Sequence, residues 1–218
     1  MTPDAGRRRG TYSPAAAVDL YWLPLGAGGW SVRRNGRVYE AIAARRARRE
    51  VDDLYHAALA VRDGDRTYVI EMAPVWNTDD GRRGVVREGP VGLRWLGRSR
   101  WFRYEVRLWQ DGRIPDVAQA VASPVRTSSS HAQVASLLRV LPTVPPLTWG
   151  RDELGAGEMW NSNSLISWLL ARSGHDMTTI RPPAHGRAPG WQAGLVLASR
   201  QLQGAGGRQW GGRPQSGR

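Results

Sequence analysis

The amino-acid sequence predicts an α+β domain: an antiparallel β-sheet packed against a helix that begins near Asn161. Three stretches carry that expectation. Residues 54–61 and 67–72 are short apolar runs, the second rich in β-branched and aromatic side chains. They are joined across Asp63-Gly64-Asp65, and so short a link makes them an antiparallel hairpin. Residues 101–109 alternate, with Phe102, Tyr104, Val106 and Leu108 on one face and Arg103, Glu105 and Arg107 on the other. That is the period of a half-buried strand. Residues 158–174 form a helix with visible ends. Asn161, Ser162 and Asn163 offer capping oxygens, Leu165, Ile166, Leu169 and Leu170 form the apolar stripe, and Gly174 closes it.

The other elements follow in chain order. Residues 1–18 are basic and expected to be disordered, and a single domain spans 19–200. Residues 19–24 begin it, and Gly26-Ala27-Gly28-Gly29 is a turn that lacks the spacing of a dinucleotide-binding fingerprint. Residues 38–49 have helical character, with arginines crowding the C-terminal end as the helix dipole favours. A strand is expected near Gly84-Val85-Val86, and a short helix over 115–124, closed by Pro124. Residues 129–141 form a helix, with Val134, Leu137, Leu138 and Leu141 in register behind a serine-rich cap. Residues 75–150 together elaborate the domain. Pro182-Pro183 and Pro189-Gly190-Trp191 make a rigid closing loop. The glycine- and arginine-rich tail, 201–218, lacks the apolar surface to offset its ordering entropy.

Composition narrows the functional classes. The chain has 218 residues, 41% apolar and 23% charged, as in soluble globular proteins. No run approaches the roughly 18 apolar residues of a membrane span, so no membrane partner is expected. Arg7, Arg8 and Arg9 are not followed by the apolar stretch of a secretory leader, which points to a cytoplasmic protein. With no cysteine there is no disulfide, thiolate metal site or cysteine nucleophile. All 31 basic residues are arginine, consistent with the codon bias of a GC-rich, actinobacterial genome, and no lysine is present for Schiff-base chemistry. The net charge of +12 raises a nucleic-acid reading. Much of the excess, however, sits in the N-terminal cluster, in Arg45, Arg46, Arg48 and Arg49, and in Arg208, Arg213 and Arg218. A solvated basic surface accounts for it. Eleven tryptophans accompany one phenylalanine; they either fill a core or line a groove for a glycan or peptide.

Ser162 lies three residues before Leu165 and seven before Leu169, so it points toward the packed face. A hydroxyl at a helix N-terminus sits where developing negative charge is favoured, although a serine there is commonly only a cap. The run Asn161-Ser162-Asn163-Ser164-Leu165 resembles the Asn-Cys-Asn-x-Phe signature that opens the nucleophile helix of circularly permuted papain-like families. The lecithin–retinol acyltransferase-like, PPPDE and NlpC-like proteins are examples. It is also similar to uncharacterised actinobacterial proteins and toxin C-terminal domains with an Asn-Ser-Asn-Ser motif and a later Pro-Gly-Trp, here Pro189-Gly190-Trp191. The resemblance covers residues 54–74 and 158–174 most closely. It implies a histidine strand first, a second strand with an orienting polar residue, and the nucleophile helix last.

On that resemblance Ser162 stands where the cysteine would be nucleophile, His56 is the general base and Glu71 the acid that orients it. A serine hydroxyl needs such a partner to take its proton. Serine in place of cysteine departs from the family and removes the thiolate on which its chemistry relies. Asn161 and Asn163 either help stabilise an oxyanion or hold their own loop by hydrogen bonds. Three functions follow: a hydrolase or acyltransferase acting on an amide, ester or thioester; a catalytically inactive papain-like domain binding a peptide or protein partner; and a basic nucleic-acid-associated protein. No cofactor or metal is expected. His131, His175 and His185 lack metal-ligand spacing, and Asp152, Glu153 and Glu158 suit a helix start.

Overall fold

A computed structural model describes residues 16–25, 53–75, 84–114 and 116–209. Six strands form the main sheet: β1 Ala16–Pro24, β2 Asp53–Asp63, β3 Arg66–Pro74, β4 Val85–Pro90, β5 Arg103–Gln110 and β6 Val125–Ser128. Their spatial order is β4-β5-β3-β2-β1-β6, and each neighbouring pair is antiparallel. A two-residue β7, Gly186–Arg187, runs parallel to the start of β2. Three α-helices are described: α1 His131–Val140, α2 Ser162–Arg172 and α3 Trp191–Gln209. The chain is therefore mixed α+β with an antiparallel sheet.

The expected hairpin is β2–β3. Asp63 pairs with Arg66, which leaves Gly64 and Asp65 as a two-residue turn, and Gly64 has φ 64°. That positive φ matches the twist of the strands it joins. Helix α1 starts where the serines suggested, with the Ser130 side chain accepting from the Gln133 N–H, and it buries Val134 and Leu137.

Strand alternation divides the sheet into two faces. On the first, Trp22, Tyr55, Ala57, Leu59, Ile70 and Val106 join the main core with Leu137 of α1 and with Leu165, Ile166 and Leu169 of α2. On the second, Leu23, Ala58 and Val69 form a smaller cluster with Ile114. Strand β5 has the expected period, but its polar face is not open to water. Arg107 is only 1% exposed and Glu105 is buried. The Arg107 guanidinium donates to Glu105 at 2.9 Å, to Glu71 at 3.2 Å and to the Pro74 carbonyl at 3.5 Å. Two carboxylates around one guanidinium make such burial tolerable. Alternation in sequence reports the polarity of a face, not what covers it.

Other boundaries move as well. The sheet begins at Ala16 instead of 19, because β1 pairs with β2 along its whole length. Of the short helix expected over 115–124, the described residues 116–124 hold only a 3-10 turn at Val117–Gln119, and the chain then returns to the sheet edge as β6. No helix is expected after the closing loop, yet α3 starts at Trp191 and runs past the expected domain end at 200 to Gln209, into the tail expected to be disordered. The turn at 26–29 and the helix at 38–49 lie outside the described residues.

Helices α2 and α3 meet at Gly194. A Cβ there would stand 2.1 Å from both the Ser164 carbonyl oxygen and the Ser167 hydroxyl. Gly204, on the same helix, has open space around it. Gly194→Ala is expected to cost about 1–3 kcal/mol by overpacking. Gly204→Ala is expected to be neutral or stabilising, because it restores helix propensity. Urea unfolding of the two variants checks the contrast.

Candidate functional site

The start of α2 is built by its own polar residues. Asn161 is the cap: its Oδ1 accepts from the N–H groups of Asn163 at 2.9 Å and Ser164 at 3.3 Å. The Ser164 hydroxyl accepts from the Asn161 N–H at 3.1 Å, which completes a reciprocal capping box. Ser162 is thus the first helical residue and not the cap. It is 8% exposed, and its hydroxyl has no hydrogen-bond partner among the described residues.

The same motif then seizes the segment before α3. Asn161 Nδ2 donates to the Pro189 carbonyl at 2.8 Å, and Asn163 Nδ2 donates to it at 2.9 Å. The Ser164 hydroxyl donates to the Gly190 carbonyl at 2.7 Å, and the Ser167 hydroxyl to the Trp191 carbonyl at 2.7 Å. Three successive backbone acceptors are therefore satisfied by four side chains from one helix edge. Asn163 Nδ2 also reaches the Tyr55 carbonyl at 2.9 Å, which fastens α2 to β2. Gly190 has φ +90°, and a Cβ there would stand 2.4 Å from Asn161 Oδ1. Only glycine allows both that backbone and that approach. Glu158 accepts from the Gln192 N–H at 3.0 Å in the first turn of α3, and the Trp191 ring packs against Trp22 in a tilted arrangement, centroids 5.1 Å apart. Asn-Ser-Asn-Ser and Pro-Gly-Trp, apart in sequence, form one structural unit. Asn161 and Asn163 hold the loop, as one of their two expected roles required.

The expected catalytic partners lie elsewhere. His56 pairs directly with Leu23, and Ala57 pairs with Trp22. Leu23 belongs to the second-face cluster, whereas Trp22 and Ala57 belong to the core beneath α2. His56 therefore projects from the face opposite α2. Glu71 pairs with Arg107 and is ion-paired to it, on that same second face. Register thus brings His56 and Glu71 to one side of the sheet, and α2, which begins at Ser162, packs on the other. The physical reason is the two-residue period of a strand, by which one position decides the face. Apolar residues flank His56 on both sides, so no polar alternation marks which face it takes.

Burial lowers the His56 imidazole from its ordinary 6.5 to about 4, opposed in part by the Asp116 carboxylate. His175, in the loop that follows α2, seals the end of that helix. It is buried, with Nδ1 3.2 Å from the Leu170 carbonyl and 3.0 Å from the Ser173 hydroxyl, while Nε2 has no partner. Burial lowers its pKa too, against the raising effect of the Leu170 bond. The Ser-Gly-His that follows the helix was its only signal in sequence. Among the described residues no group of three or more His, Asp or Glu side chains could hold a metal ion. An open concavity along α3, lined by residues such as Gln192, Val196 and Arg200, includes none of the expected site residues.

Two outcomes follow from these contacts. Asn163→Ala strands the Tyr55 carbonyl and weakens the hold on Pro189, for a loss of about 2–3 kcal/mol. Ser162→Ala removes an unpartnered hydroxyl and stays within about 0.5 kcal/mol of wild type. Denaturant titration of both variants measures the contrast. The pH dependence has a definite sign. Above pH 6.5 His56 is neutral in both folded and unfolded chains. As pH falls from there to about 4, the unfolded chain takes up a proton that the folded chain refuses, and stability drops. The His56 share is about 3 kcal/mol at most, and it is complete once the folded form also protonates. In His56→Gln the loss over that window is expected to be smaller by the His56 share, read by urea midpoints across the pH series. Comparison with family models, with curated proteins and with solved structures finds no match for this chain.

Proposed function

We propose that the chain is a permuted papain-like domain that keeps the nucleophile helix as scaffold and acts by binding a peptide or protein partner. What supports the likeness is the order of elements: the strand with His56, the strand with Glu71, and last a capped helix seated on the first of these strands through Asn163 and Tyr55. The observation that carries the non-catalytic reading is the placement of His56 on the sheet face away from α2. Activation of a serine hydroxyl needs a base within hydrogen-bond reach, directly or through one water. His56 leaves the sheet on the face opposite α2, the helix that begins at Ser162. Glu71, meanwhile, is engaged by Arg107 and not by an imidazole. The polar residues that would support an oxyanion are spent on the carbonyls of Pro189, Gly190 and Trp191.

A fluorophosphonate probe tests the reading directly, because it labels only activated serines. The expected result is no adduct on Ser162 by mass spectrometry, and no Ser162-dependent turnover of ester, thioester or amide substrates. Peptides selected on the immobilised domain are expected to bind the Ser162→Ala variant as tightly as wild type. A Ser162 adduct that disappears in His56→Ala would contradict the proposal and restore the hydrolase.

A further inference from the structure

We propose that the loop joining β4 to β5 docks the protein on an anionic phospholipid surface. The loop is closed at its base, where the Val91 N–H donates to the Phe102 carbonyl at 2.8 Å, just beyond the Pro90–Arg103 strand pair. Gly92 donates to the Trp149 carbonyl at 2.9 Å, and Trp149 donates to the Pro90 carbonyl at 2.9 Å. Arg151 Nε pins the Gly92 carbonyl at 2.6 Å. Within the loop, Leu96, Ser99 and Phe102 each donate to a carbonyl three residues back. The excursion is thus shaped by its own hydrogen bonds before any partner arrives, and ordering it on binding costs little.

What it presents is aromatic and basic. Trp95 is 66% exposed, Trp101 67% and Phe102 43%, and Leu93 is exposed beside them. These are among the few large apolar side chains that the described residues leave in water, and exposure of that kind marks an interaction surface. From Gly89 to Tyr104 the sequence contains Arg94, Arg98, Arg100 and Arg103 and no acidic residue. Arg103 is paired with Glu88 and Arg94 lies 3.4 Å from Glu153, while Arg98 and Arg100 have no partner among the described residues.

Tryptophan places an amphipathic ring at headgroup depth, and arginine offers a fork that fits lipid phosphate. An anionic bilayer matches both halves of this surface, the charge and the apolar tip. A nucleic acid would use the arginines and stack on the rings but would leave Leu93 in water. The sequence expectation of no membrane partner rested on the lack of a spanning run. Among the described residues no helix is long and apolar enough to cross a membrane, and a peripheral loop needs none.

The test is vesicle co-sedimentation of the full chain at about 0.15 M salt, where long-range attraction between exposed charges is largely screened. The vesicles are phosphatidylcholine alone or phosphatidylcholine with phosphatidylglycerol. Wild type is expected to bind only the anionic vesicles. The charge-neutral double variant Trp95→Ser, Trp101→Ser should lose roughly tenfold or more in partitioning, since two interfacial rings are removed. Arg98→Gln with Arg100→Gln should weaken binding and reduce its salt dependence. Both variants change exposed side chains and are checked for wild-type circular dichroism. Wild-type binding by the tryptophan variant would overturn the proposal, because the basic chain ends would then account for it. So would no binding to anionic vesicles, or binding to a single-stranded oligonucleotide or an acidic peptide that needs Trp95 and Trp101 while vesicles are ignored. The assay does not depend on whether Ser162 is reactive, so the two proposals fail separately.

Discussion

The polar edge of α2 closes on the carbonyls of Pro189, Gly190 and Trp191, and much else in the fold is placed by that contact. A proline–glycine bend buried between two helices turns successive carbonyls toward α2, and that of Pro189, which precedes α3, has no helical donor. Leaving it unpaired would cost about 1–3 kcal/mol. Side chains from one helix edge satisfy these carbonyls, and the same bend sets where α3 begins. Glycine at 190 lets Asn161 come close, and glycine at 194 lets the two helices touch. Through Asn163 the contact extends to the Tyr55 carbonyl, so the helix pair is fixed to the middle of the sheet as well as packed on it.

The sheet has two working faces of different character. The face beneath the helices is apolar and closely filled, with Trp22, Trp160 and Trp168 fully buried. The opposite face combines a small apolar cluster with the Glu71–Arg107–Glu105 set and with His56, whose ring is held neutral by burial. A catalytic dyad between Ser162 and His56 would need both groups on one face. The strand period opposes that, because each residue of β2 is committed to a side by its pairing with β1 and His56 takes the side away from α2.

The parts of this architecture that were legible in the sequence are those with strong local signals. The β2–β3 hairpin announced itself by two apolar runs and a glycine turn, α1 by its serine cap, and α2 by an apolar stripe with polar residues at one end and glycine at the other. Strand β6 is four residues long and includes Arg126 and Thr127 at a sheet edge, so it carries too little periodicity to be read. Helix α3 begins at a Pro-Gly-Trp that reads as loop and ends among glycines that read as tail. Its helical course follows from burial of Ala193 and Ala198 near α2, which is tertiary information. At the site, Asn161 and Asn163 stood out as unusual polar residues beside a core, but the acceptors they serve lie 26 or more residues away. The face taken by His56 was beyond local pattern, since its neighbours are apolar on both sides.

Proton–proton contacts of the His56 ring, read from a nuclear Overhauser spectrum of the folded chain, address the central geometric claim most directly. His56 and Leu23 are directly opposed on adjacent strands, a separation at which side chains of one face touch. The account predicts cross-peaks from the imidazole carbons' protons to the Leu23 methyls and none to the Ser162 methylene. Cross-peaks between the His56 ring and Ser162 would place both on one face and contradict it.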